Sequence, residues 1–179
     1  MGQSTLDGPV ISKNGFYATG PGNVVTLSTS TSLTVAAHAG RIIKVGGTLA
    51  ADVTLTLPTI NVQANPSSSG PASDPNNPNN QGAVFTFWID VTIATSSLKI
   101  GTNGTDKYVG YVLSIDSDTS GAMAGFIPAA ANDFINLNGG TTGGVAGTWL
   151  QVTALDTAEY VVNGVIVCTG APATPFANS

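Results

Sequence analysis

Charge is what this chain has least of. Only 8% of its 179 residues are Asp, Glu, Lys or Arg, against about 25% in an ordinary globular protein. The five basic residues, Lys13, Arg41, Lys44, Lys99 and Lys107, are scattered, and the net charge is −5. Binding a phosphate backbone needs clustered Lys and Arg, so no nucleic-acid partner is expected. A single cysteine, Cys168, excludes an internal disulfide; within "GVIVC" it reads as a small buried strand residue. No apolar run approaches the roughly 18 residues of a membrane helix, so no membrane partner is expected. The opening "MGQSTLDGPVISKNG" has no basic start, apolar stretch or small-residue cleavage site, which fits a protein made in the cytoplasm without a signal peptide.

Catalytic groups are equally sparse. His38 is the only histidine, and "AAHAG" reads as a turn that exposes it. No G-x-S-x-G elbow exists to pair it with a nucleophile. A zinc site needs three or four His, Cys or carboxylate ligands, more than one histidine and one cysteine supply. Glu159 is the only glutamate, and Asp156 lies close by on a turn, so the two read as solvated turn residues rather than a glycosidase pair. The stretch "DSDTSG", 116 to 121, begins like a calcium loop, with Asp116 and Asp118 at positions 1 and 3, Ser120 at 5 and Gly121 at 6. Position 12, normally a bidentate glutamate, is Ile127. A plain loop at the end of a strand is the main reading there, and a weak Ca²⁺ site is the alternative. The expectation is a protein with no catalytic, cofactor-binding or metal site: not an enzyme.

What is present is β-structure. Hydrophobic residues make up 42% of the chain, enough for a packed core, and from residue 24 the apolar period is two. In "ADVTLTLPTI", Val53, Leu55 and Leu57 alternate with Thr54 and Thr56, the mark of a half-buried strand. "AVFTFWIDVTI" puts Phe85, Phe87, Ile89, Val91 and Ile93 on one face and predicts the central strand. Trp88 falls on the other face, either under a covering segment (the favoured reading) or exposed to stack on a sugar. Trp149 is expected in the core of a last hairpin, "GTWLQVTAL" to "EYVVNG". An Asn103-Gly104 turn, a strand in "KYVGYVLSID" and a strand in "VIVC" complete eight to ten short strands. No amphipathic stretch reaches helical length.

The domain plan is an extended N-terminal arm over 1–23, one β-sandwich domain over 24–170, and a tail over 171–179 with Phe176 as its anchor. Inside the domain, "NPSSSGPASDPNNPNNQG", 65 to 82, holds four of the ten prolines and no large apolar residue. It reads as a long Pro/Asn-rich surface loop. The fold class predicted is all-β, an antiparallel sandwich of jelly-roll type. Strand edges this short of lysine should be covered or paired with a neighbour, which predicts a homo-oligomer, a trimer by preference.

Three segments then carry a resemblance: "SLTVAAHAGRIIKVGGTLAADVTLTLP", "GAVFTFWI" and "GTWLQVTALDTAEYVVNG". In this order they resemble the small β-proteins of tailed-bacteriophage virions, some of them head decoration, or cement, proteins. Those carry an "LT…GK.I.V……TLTLP" opening, an "F.F.V" strand and a closing "W…V…..WYV.G" hairpin. Arg41 stands where a lysine is common, and the arm and the 65–82 loop are insertions. The resemblance implies a structural protein on the capsid exterior of a virion, with the major capsid protein as its partner and no catalytic residues. A receptor-binding, glycan-binding tail-fibre or tailspike domain is the alternative.

Overall fold

The computed structural model describes residues 23–45, 49, 51–62, 80–118 and 121–178. The expected arm, apart from Asn23, and residues 65–79 of the expected loop lie outside the described residues.

The chain is almost entirely β, in two sheets that share one core. Its first strands alternate between the sheets. β1 (Val24–Leu27), β3 (Ile42–Val45) and β5 (Val84–Ile89) lie side by side in the larger sheet. β2 (Thr31–Ser32), β4 (Val53–Thr56) and β6 (Leu98–Gly101) lie side by side in the smaller one. Every pairing within these two sets is parallel. A parallel pair needs a crossover, and in most proteins a helix supplies it. Here the crossover is a strand of the opposite sheet, so from β1 to β6 the chain makes two and a half turns around its own core.

The second half fills in beside the winding. β7 (Lys107–Gly110) and β8 (Val112–Asp116) run consecutively along β12 (Glu159–Cys168), parallel to it, and β9 (Met123–Phe126) pairs with β8. β11 (Trp149–Asp156) forms an antiparallel hairpin with β12 and joins it to β5. β10 (Phe134–Leu137) and β13 (Phe176–Ala177) complete the smaller sheet. The break between β7 and β8 falls at Gly110, whose φ of +103° and whose approach to the Val162 carbonyl leave no room for a Cβ.

Six of the eleven strand pairings are parallel. The expected antiparallel sandwich is therefore corrected to two mixed sheets, and the strand order does not trace a jelly roll, an antiparallel architecture. The alternation was read correctly in its essentials: Phe85, Phe87 and Ile89 point into the core with Ile43, Leu55, Ile100, Ile135 and Val152. β5 is shorter than its pattern and ends before Asp90. Asn103-Gly104 does turn the chain, with Gly104 at φ +87°, but it links strands of different sheets rather than a hairpin. Phe176 is buried in β13 and anchors the tail, and Cys168 is buried at the end of β12.

Two tyrosines fasten the sheets to each other. Tyr108 and Tyr160 are neighbours on β7 and β12 and both point inward. The Tyr108 hydroxyl donates to the Ile100 carbonyl on β6 at 3.0 Å, and that of Tyr160 to the Pro58 carbonyl beyond β4 at 2.5 Å. Burial, the neighbouring Tyr160 and the Asp133 carboxylate all raise the pKa of Tyr108 well above its ordinary 10.0. Burial, with Asp106, raises that of Tyr160. Below them, Asp133 is buried and bound by the Lys107 ammonium at 2.9 Å.

The long loop is closed at its neck. Asn80 is buried, its side-chain carbonyl accepts from the Asn61 N–H at 2.7 Å, and its amide donates to the Thr59 carbonyl at 2.7 Å. Its backbone N–H also reaches the Asn61 carbonyl. These bonds bring the two ends together, so the loop is an excursion from one turn of the winding.

Two outcomes follow. Replacing 63–79 with a short Gly/Ser linker should leave stability within about 1 kcal/mol, because closure entropy changes slowly with loop length; Asn80→Ala should cost about 1–3 kcal/mol through the partners it strands. Urea unfolding measures both. In alkali, the fold disfavours phenolate at Tyr108 and Tyr160, so their contribution is complete below pH 10 and is lost as pH rises past it. Phenolate absorbance should show these two tyrosines ionising only as the protein unfolds.

Candidate functional site

The outer face of the larger sheet carries an open groove built around two tryptophans. Residues paired directly across neighbouring strands share a face. Lys44 on β3 pairs with Trp88 on β5, Trp88 with Trp149 on β11, and Trp149 with Val165 on β12. Because Phe87 and Ile89 turn inward, Trp88 between them must turn outward; Leu150 does the same to Trp149. The two indoles meet edge to face, centroids 5.8 Å apart and planes inclined by 63°. Opposite Leu150, Gly164 at φ +146° lets β12 pass against the Trp149 carbonyl where a Cβ would collide.

Around this pair lies an open groove of about 450 Å³, lined by Val24, Ile42, Lys44, Trp88, Asp90 and Trp149. Its polar feature is an ion pair, Lys44 Nζ to Asp90 Oδ2 at 2.8 Å, with both side chains more than a third exposed. Asp90 stands where β5 ends, and its backbone N–H is held by the Val45 carbonyl at 3.2 Å. Trp149 is 39% exposed, so the expectation of a core residue is corrected. Trp88 is half-buried in the groove wall rather than beneath a covering segment of the described chain.

His38 is also corrected. It is 8% exposed and ends a single helical turn, α1 (Val35–His38), that Thr34 caps. Its Nδ1 lies 2.9 Å from the Thr34 N–H, a local bond that folds the ring over the cap.

Asp156 and Glu159 close the β11–β12 hairpin as exposed partners. Asp116 and Asp118 are engaged with backbone: Asp116 Oδ1 accepts from the Asp118 N–H at 3.0 Å and Asp118 Oδ2 from the Gly170 N–H at 2.9 Å. Ser120 of the calcium-like stretch lies outside the described residues. Among the described residues no three His, Cys, Asp or Glu side chains gather as metal ligands, and no helix is long and apolar enough to cross a membrane.

A second surface stands at the far edge of the same sheet. β9 pairs only with β8 among the described strands and carries no charged residue. Beside it Met123 is 63% and Ile127 78% exposed, with Ile115 opposite Met123 and Tyr111 also exposed.

No family model, no curated protein and no solved structure matches the chain. Its chemistry must be read from these surfaces.

With both aspartates committed to loop amides, millimolar Ca²⁺ should leave the melting temperature unchanged. A rise in scanning calorimetry would restore the calcium-loop reading.

Proposed function

We propose that the protein is a structural virion protein that binds the outer surface of a bacteriophage capsid and stabilises it. The observation that carries this reading is the β9 edge, which no described strand covers, with Ile115, Met123 and Ile127 exposed along it. An unpaired, uncharged edge strand is a template for another chain, and neighbouring exposed apolar side chains mark a protein contact. Backbone bonds along the edge and burial of these side chains would hold one module across neighbouring shell subunits. Repeated over many copies, the contact resists separation of those subunits.

The resemblance in "TLTLP", "AVFTFWI" and the closing hairpin supports the same reading, with the major capsid protein as partner. A homo-oligomer, a trimer by preference, belongs to the same proposal. The long excursion at 65–82, closed at its neck by Asn80, suits a segment that contacts a neighbour without disturbing the fold.

Gold-labelled antibody against the protein, applied to particles purified from the source culture, should decorate the heads in electron micrographs. Label confined to tails, or absent from every particle, would overturn the reading. Met123→Lys combined with Ile127→Lys should abolish rebinding to stripped heads while leaving the melting temperature within a few degrees, since neither side chain is buried. Undiminished rebinding would move the contact away from this edge.

A further inference from the structure

We infer that the Trp88–Trp149 groove is a binding site for a neutral polysaccharide. Its volume, about 450 Å³, lies within the roughly 300–1,000 Å³ of ligand clefts. It is open rather than enclosed, which suits a pyranose ring within a longer chain better than an isolated small molecule. The inclined indoles offer an aromatic face to the C–H side of a sugar ring. Trp149 is the accessible one, and Trp88 fixes its orientation through the edge-to-face contact.

The polar pair decides the ligand class. Lys44 and Asp90 neutralise each other at 2.8 Å, so the groove presents no net charge to a carboxylate, sulfate or phosphate. Each still has bonding capacity: an ammonium has three donors and a carboxylate about four acceptor positions. Sugar hydroxyls, which donate and accept, match that combination. A protein partner fits less well. Covering a solvated ion pair with apolar side chains carries a desolvation penalty, whereas hydroxyls replace the water they displace.

Placement supports this reading. Val165 and Leu113 continue the cross-strand row beyond Trp149 towards β9, so the groove and the proposed capsid edge occupy opposite ends of one sheet face. A particle-bound copy can therefore keep its groove open to the surroundings. The inference does not depend on capsid binding, and its test uses the purified protein alone.

Maltoheptaose, chitohexaose and mannohexaose are titrated against the intrinsic tryptophan fluorescence, with hyaluronan oligosaccharides as the anionic control. At least one neutral oligosaccharide should shift the emission and protect it from acrylamide at millimolar concentration. Trp149→Ala should weaken that binding at least about tenfold, a loss equivalent to about 1.4 kcal/mol. Asp90→Asn, a surface change that breaks the ion pair without removing the groove wall, should weaken it several-fold and guards against a folding defect in the tryptophan variant. No response to any neutral oligosaccharide, a response to hyaluronan alone, or full binding by both variants would overturn the inference.

Discussion

Parallel strands cannot be joined by tight turns, and a chain with almost no helix must bring them together some other way. Residues 24 to 101 do it by crossing to the facing sheet three times and returning twice. The rest of the architecture depends on that winding. It stacks β1, β3 and β5 against β2, β4 and β6, so that one apolar row from each fills a common core. It also brings each crossover to the rim of the sandwich, where extra chain can leave and re-enter. The Pro/Asn-rich excursion is tolerated because it hangs from one such crossover, its neck closed by Asn80.

Low charge takes on meaning within this frame. Surface polarity comes from Thr, Ser, Asn and Gln, which hydrogen-bond without imposing a long-range field. Two ion pairs stand among the described residues: Lys107 with buried Asp133, and Lys44 with Asp90 on the outer face. The first pair lies beside the tyrosines that fasten the sheets. The second borders an aromatic groove. Two features of one sheet then divide the work proposed for the protein, an uncharged edge for a protein lattice and an aromatic groove without net charge for a glycan.

Much of this was legible in the sequence, and the failures have physical causes. Period-two alternation correctly assigned Phe85, Phe87, Ile89, Leu55 and the β11–β12 hairpin, because burial on one face dictates it. Alternation says which face a residue takes, not which strand it pairs with or in which direction, so the parallel winding was invisible. The excursion between β4 and β5 also disguised the recurrence of the winding by spreading its turns unequally along the chain. Trp149 lies outside the expected core because Leu150 and Val152 occupy the inward positions, and the alternation itself then puts Trp149 outside. His38 was read as exposed because a one-turn helix leaves no periodic signal, and the ring is buried by its bond to Thr34. The groove needs four strands from separate parts of the chain, β1, β3, β5 and β11, and no local motif announces such a meeting.

Strand direction is the most direct test of the account, since the winding creates both the core and the faces outside it. Interstrand nuclear Overhauser effects on the isotopically labelled protein report it residue by residue. The account predicts a parallel pattern that sets Ile43 beside Phe87 and Leu55 beside Ile100. An antiparallel pattern across either pair, or contacts joining different strands, would contradict it.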